Sequence, residues 1–319
     1  MQSSSVAIPS VLLLLVGGVA GAQEAPPVLP SAPGFGVERL APSAPGGGWL
    51  VMDQLDLPGP LGGAMSVTLG YARNPLRVGE ARLPVVSDQA TVDIGAALSY
   101  WRIRVYLNFA APLAIYGQSG DAGGYAFTGP SVNLGSNPDT IADVRFGADV
   151  RILGRTGGRF RLGAGAQLDI PTDRKSDYAS DGTFRGALRL LVAGDARWLT
   201  WAAQLGAHIR PRDDAPIPDS PRGSELLFGA AAGGRIALGR AAAWALILGP
   251  ELFGASAFRA LFTRAATAFE GLLTARFEGT AADRAQLRVR VGAGAGLGSF
   301  GSPEWRVVAG VELFTHNQR

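Results

Sequence analysis

Arg102-Ile103-Arg104-Val105-Tyr106-Leu107-Asn108-Phe109-Ala110 is the stretch that decides the fold. Ile103, Val105, Leu107 and Phe109 alternate with Arg102, Arg104, Tyr106 and Asn108, so one face is apolar and the other polar or charged. A period of two belongs to a β-strand, whose successive side chains point to opposite faces, whereas a helix groups residues three and four apart. Ala142–Leu153 repeats the pattern, setting Val144, Phe146, Ala148, Val150 and Ile152 against Asp143, Arg145, Asp149 and Arg151. Phe160–Ile170 sets Phe160, Leu162, Leu168 and Ile170 against Arg161, Gln167 and Asp169.

Outward from these, the same alternation marks Met65–Arg73, Thr91–Leu98, Phe184–Val192, Leu199–Arg210, Glu225–Ile236, Ala242–Phe253, Phe269–Phe277, Ala285–Gly296 and Trp305–Phe314, twelve segments in all. The connections alternate as well. Asn74–Ala90, Ala111–Ile141, Pro171–Thr183, Pro211–Ser224 and Gly254–Ala268 are long and mostly polar, followed by a shorter Leu297–Glu304. Between them fall tight turns at Ser99–Trp101, Gly154–Arg159, Ala193–Trp198, Ala237–Ala241 and Glu278–Arg284. An even strand number with short turns at one end and long loops at the other is the pattern of an outer-membrane barrel. The expectation is therefore an all-β protein, a transmembrane antiparallel up-and-down β-barrel of about twelve strands over residues 64–314.

Alternation alone does not say which face meets lipid, because a soluble barrel turns its apolar face inward. Segment length and aromatic placement favour the membrane. Strands of about 9–11 residues cross hydrocarbon when tilted. Tyr100, Trp101, Trp198 and Trp244 fall at the expected periplasmic ends, and Tyr71, Phe184, Phe269 and Trp305 at the external ends, where amphipathic rings favour the headgroup level. Trp201 sits deeper. In lipid such a sheet must close, since an open edge leaves backbone amides unpaired.

The 319 residues include no cysteine, which excludes disulfides, thiolate-bound zinc, thiol catalysis and a lipid anchor on a cysteine. The 29 basic and 26 acidic residues are spread evenly, so nucleic acid is not an expected partner. Val11–Ala20 is an apolar run followed by the small residues Ala20-Gly21-Ala22, which reads as a signal peptide over residues 1–22, although Met1–Ser10 carries no Lys or Arg. Residues 23–63 are rich in Pro, Gly and Ala, a periplasmic or luminal segment with one apolar island, Trp49–Leu57. That island can plug the barrel, pair as an extra strand or lie in the periplasm. Residues 315–319 form a short tail after the last strand.

Four blocks carry a family resemblance: Gly249-Pro250-Glu251-Leu252, Gly301-Ser302-Pro303-Glu304-Trp305-Arg306, Arg73-Asn74-Pro75-Leu76, and Tyr178 with Asp181-Gly182. Together they resemble the barrel region of outer membrane protein A-like proteins of the myxobacterial type, over about Trp49 to Phe314. The resemblance implies a barrel in the outer membrane of a Gram-negative bacterium, with lipid, lipopolysaccharide and the barrel-assembly machinery as partners. Phe314 would stand for the C-terminal aromatic signal that this machinery reads. Many relatives continue into a peptidoglycan-binding domain, which is not expected here because the chain as given ends at Arg319. The motifs are not catalytic signatures.

By alternation the lumen receives Arg102, Arg104, Arg145, Arg151, Arg161, Arg185, Arg189, Arg210, Arg235, Arg276, Arg288, Arg290 and Arg306, against Asp93, Asp143, Asp149, Asp169, Glu225, Glu251, Glu270 and Glu312. The first reading is that these charges pair across strands and fill the interior of a structural or surface barrel, Glu251 pairing with a neighbouring Arg. The alternative is a narrow passive pore favouring small anions, drawn by the basic excess. A third reading is an exported soluble barrel that binds an apolar ligand. Inner-face glycines at Gly163, Gly165, Gly292, Gly294 and Gly296 leave room on one wall for water or for the Trp49–Leu57 island.

No enzymatic activity is expected. The only histidines are His208 and His316, and neither has a Ser or Asp at a spacing that suggests a nucleophile and base. Gly292–Gly298 lacks the following helix of a nucleotide-binding loop, and no metal or other cofactor motif is present. Arg73, Arg77, Arg212 and Arg222 in or near the external loops are the expected contacts for lipopolysaccharide.

Overall fold

A computed structural model describes residues 28–57, 59, 61–134, 143–172, 178–211, 223–239, 243–282, 285–297 and 301–315. Among these residues the long strands are β1 (Gly62–Val78), β2 (Leu83–Tyr100), β3 (Ile103–Tyr116), β7 (Val144–Leu153), β8 (Arg161–Ile170), β9 (Arg185–Asp195), β10 (Leu199–Ile209), β11 (Glu225–Leu238), β12 (Trp244–Ala257), β13 (Thr267–Ala282), β14 (Ala285–Gly296) and β15 (Trp305–Thr315). Each pairs antiparallel with its neighbour in sequence, and β1 pairs with β15 from Ala64–Phe314 to Arg73–Trp305, closing a 12-strand barrel. Three short strands, β4 (Gly120–Ala122), β5 (Tyr125–Phe127) and β6 (Ser131–Asn133), lie in the connection after β3.

Polarity decides the solvent. Leu313 is 51% exposed and Glu312 beside it is 0% exposed. Val67, Leu69, Ile94, Leu107, Phe146, Leu190, Leu252 and Leu273 likewise stand on the outside, while Arg104, Arg161, Arg276, Arg290 and Arg306 are buried. Greasy residues outside and charges inside suit a barrel set in hydrocarbon and reverse what water requires, so the soluble ligand-binding barrel is excluded. This is an outer-membrane type of barrel. Both barrel termini and the turns β2–β3, β7–β8, β9–β10, β11–β12 and β13–β14 share the periplasmic end, and the longer loops, together with the tight β1–β2 turn, share the other.

Aromatic girdles mark the two interfaces. Trp101 and Trp198 are exposed at the periplasmic end, where Trp244 stacks on Phe277 at 4.8 Å. Tyr71 meets Trp305 at 5.1 Å at the external end, and Trp201 packs against Phe160 at 6.3 Å.

Three sequence expectations need correction. Residues 74–90 form no long loop: β1 and β2 continue past the apolar alternation to a tight turn at residues 79–82, with Asn74 at φ 49° where the register shifts. Beyond the membrane the pattern of two fades, because water on one side no longer selects for lipid-facing residues. The extended β3 likewise runs to Tyr116. The turn between β2 and β3 is Trp101–Arg102, with Trp101 at φ 55°, in a position that hairpins usually give to glycine. Arg102 is therefore in the turn and exposed, donating to the Ile152 carbonyl at 3.1 Å instead of facing the lumen.

The expected signal peptide, residues 1–22, lies outside the described residues, as do Arg212, Arg222 and His316.

Candidate functional site: a charged lumen threaded by the N-terminal segment

The lumen is occupied by the chain's own N-terminal segment. At the external end, Ala32 N donates to Ala126 O at 2.8 Å and Ala126 N to Pro30 O at 3.0 Å, joining the segment to the β4–β5 hairpin. Phe35 packs edge-on against Tyr178 at 5.7 Å, Val37 N donates to the Tyr178 carbonyl, and Gly36 N donates to Asp181 Oδ1. Burial in this cluster pushes the Tyr178 hydroxyl up to about 12. The chain then descends past Glu225, which holds Arg39 through both oxygens at 2.8 and 3.0 Å, and past Arg145, which donates to the Pro42 carbonyl. At the periplasmic end Arg151 holds the Leu55 carbonyl, Thr156 holds that of Leu57, and Trp101 N donates to Gly59 O.

The middle of this segment, Trp49 to Met52, is anchored on Glu251. Leu50 N and Val51 N each donate to its carboxylate at 2.9 Å, and Met52 N at 3.3 Å. Successive amides converging on one carboxylate make an anion-holding concavity. Glu251 therefore meets backbone amides and not the neighbouring Arg that alternation suggested. Trp49, Leu50, Met52, Leu55 and Leu57 are fully buried.

Glycines of the wall make room for these side chains. A Cβ at Gly233 would lie 2.7 Å from Trp49 Cη2, at Gly229 2.5 Å from Met52 Cε, at Gly292 2.5 Å from Leu50 Cδ1 and at Gly163 2.8 Å from Leu55 Cδ1. Gly165 instead faces Asp149 Oδ1, while Gly294 and Gly296 approach the Gly271 carbonyl and Ser302.

Around the segment the wall charges pair in clusters. Arg104 lies between Asp53 of the segment and Asp149, at 2.6 Å from the latter, and Arg189 also reaches Asp149 at 3.2 Å. Arg306 joins Glu38 and Glu270, both at 2.8 Å. Arg161 joins Asp56 and Asp195 and donates to the Gln54 carbonyl. Arg276 bonds Gln54 Oε1 at 2.7 Å, meets Glu278 and lies over the Trp49 ring at 5.3 Å. Arg288 links Glu278 to Glu312, and Arg290 reaches Glu312, Ser43 and the Trp49 carbonyl. Arg145 pairs with Asp93, and Arg185 with Asp143 and Asp181. Arg210 pairs with Asp181 and Glu225. Arg235, on the inward face opposite Ile247, is partly exposed at the periplasmic rim of the lumen, where it meets Glu278 at 3.0 Å.

These partners change the charge balance. Asp195 and Glu278 fall where the sequence suggested turns, and Glu38, Asp53 and Asp56 come from the segment. Together they cancel the inward basic excess counted from the strands alone.

A cavity of about 200 Å³ remains in the external half, bordered by Arg39, Arg145, Asp169, Arg189, Gln204 and His208. His208 faces inward with Nδ1 3.4 Å from Glu225 and Nε2 3.9 Å from Asp169. Among the described residues no cluster of His, Asp and Glu has the arrangement of a metal site. Phe314 also turns inward, its ring 4.3 Å from the Arg288 guanidinium.

No family model and no curated protein matches this chain. Among solved structures it is similar to an outer membrane channel from Pseudomonas putida F1, at 13% identity over 80% of this chain and 95% of that one, with a TM-score of 0.49. It is also similar to the β domain of the Bordetella autotransporter BrkA, at 13% identity over 79% of this chain and 98% of that one, with a TM-score of 0.42. OmpT, an outer membrane protein of Vibrio cholerae, aligns at 11% identity over 80% of this chain and 96% of that one, with a TM-score of 0.32. None of these similarities bears on what this chain binds or carries.

Proposed function

We propose that this protein is a structural or surface barrel of the outer membrane whose lumen is shut by its own N-terminal segment. The observation that carries this reading is the seat of Trp49 to Met52, buried, with three amides on Glu251 and a carbonyl on Arg290. Charges so enclosed, each facing a counter-charge or an amide, fill space and hold neighbouring strands in place. The reading contains no catalytic step and no cofactor, and it is compatible with the outer membrane protein A-like resemblance. Arg73 and Arg77 remain the contacts we assign to lipopolysaccharide, and Phe314 the residue we assign to recognition by the assembly machinery.

The alternative is a passive pore for small ions, which requires the segment to leave, and its anion preference loses support from the balanced charges. Liposomes containing the purified full chain separate the two. The plugged barrel predicts no swelling in small sugars or amino acids, whereas swelling at the rate of an open porin would support the pore.

A further inference from the structure

We infer that this barrel carries its N-terminal segment outward through the lumen and displays residues 28–32 on the external face. The direction of the segment is fixed at both ends. Gly59, just before β1, accepts Trp101 N at the periplasmic turn, and Thr156 of the next periplasmic turn holds the Leu57 carbonyl. Pro30 and Ala32 are bonded to Ala126 in the loop after β3, at the opposite end. Between these points the contacts follow the barrel axis: Glu225 and Arg306, at the external ends of β11 and β15, hold Arg39 and Glu38, and Glu251 in mid-strand holds Leu50 to Met52. An extended chain gains at most about 3.3–3.6 Å per residue, so residues 30–57 have ample length to cross the roughly 25 Å apolar band.

The consequence is topological. Because β1 starts at the periplasmic mouth, a segment that stayed in the periplasm would need no luminal anchors. Val28, beyond the last external contact, is instead 97% exposed at that end. The barrel thereby acts as the conduit for residues 28–57 and sets Pro30 to Ala32 beside the β4–β5 hairpin as a surface epitope. This inference concerns where the segment emerges and holds whether or not the threaded barrel conducts.

The absence of cysteine makes the test direct. Single variants Val28→Cys, Ser31→Cys, Asp121→Cys in the β4–β5 hairpin and Arg155→Cys in a periplasmic turn are expressed as the full chain. Each is treated on intact cells with a polyethylene-glycol maleimide too large to cross the outer membrane. Heat-modifiable migration confirms that each has folded. The expected result is that Val28→Cys and Ser31→Cys react like Asp121→Cys, with no gain on permeabilisation, while Arg155→Cys reacts only after it. Reaction of Val28→Cys only after permeabilisation, or in neither condition while Asp121→Cys reacts, would overturn the inference.

Discussion

Glu251 on β12 accepts the backbone N–H of Leu50 at 2.9 Å across 201 positions of sequence, and Val51 and Met52 donate to the same carboxylate. The only charged residue of β12 thus has as its partner successive backbone amides from the other end of the chain. Its burial is tolerable because three N–H groups replace its water, and the amides in turn would be orphaned without it.

Substituting Glu251 should therefore act on the segment more than on the barrel. Glu251→Gln keeps one carbonyl acceptor and should cost about 2 kcal/mol, the scale of hydrogen bonds to a charged group, whereas Glu251→Leu leaves buried amides unpaired and should cost more. Chemical unfolding of the detergent-solubilised protein gives the ranking. Equal stability of the two variants would contradict the role assigned to the carboxylate.

Gly233 and Gly234 provide a matched pair. A side chain at Gly233 enters the space of Trp49, while Gly234 has open space around it. Gly233→Val should destabilise by about 1–3 kcal/mol through overpacking, and Gly234→Val should stay within about 0.5 kcal/mol of the parent. Thermal loss of heat-modifiable migration measures both.

Arg104 ties Asp53 of the segment to Asp149 of the wall. Arg104→Ala leaves Asp53 buried without its guanidinium, beside an Asp149 held only by Arg189, and should cost about 3–5 kcal/mol. Adding Asp53→Ala should recover part of the loss, because one of the uncompensated charges goes with it. Strict additivity in the double-mutant cycle would show that Arg104 and Asp53 do not act as a pair.

A smaller pH effect sits outside the membrane. Glu304, in the last external loop, is held below the ordinary carboxylate range by the Asn74 amide at 2.9 Å and then by Arg77. A lowered acid supports the native state above its unfolded pKa and loses that support as pH falls through the folded one. Asn74→Ala should move the Glu304 titration upward toward the ordinary value, read from its side-chain carbon shift by NMR in micelles. An unmoved titration would assign the shift to Arg77 alone.

Much of the fold was legible because the membrane imposes one rule on every strand. Ile103 to Phe109 reads as a strand from sequence since lipid demands an apolar residue at each second place and the lumen tolerates charge between. Where that demand lapses, the reading lapses too: Pro75 to Val78 and Leu83 to Ala90 lie above the membrane and read as loop although they are paired. Arg102 was misplaced because a turn displaced by one residue reverses what a rim side chain faces. The acids Asp195 and Glu278 were missed for the same reason. Tertiary pairings such as Arg104 with Asp53, or Glu251 with the Leu50 amide, leave no periodic trace. The glycines at Gly163 and Gly292 did hint that something fills one wall, and Leu55 and Leu50 are what fill it.

The claim that the N-terminal segment shuts the lumen is tested most directly by single-channel recording of the purified, heat-modifiable full chain in a planar bilayer, beside its Glu251→Leu variant. The account predicts a silent parent, with insertion confirmed by protease protection, and intermittent conductance steps from the variant as its segment loses its anchor. Stable steps from the parent, unchanged in the variant, would contradict it.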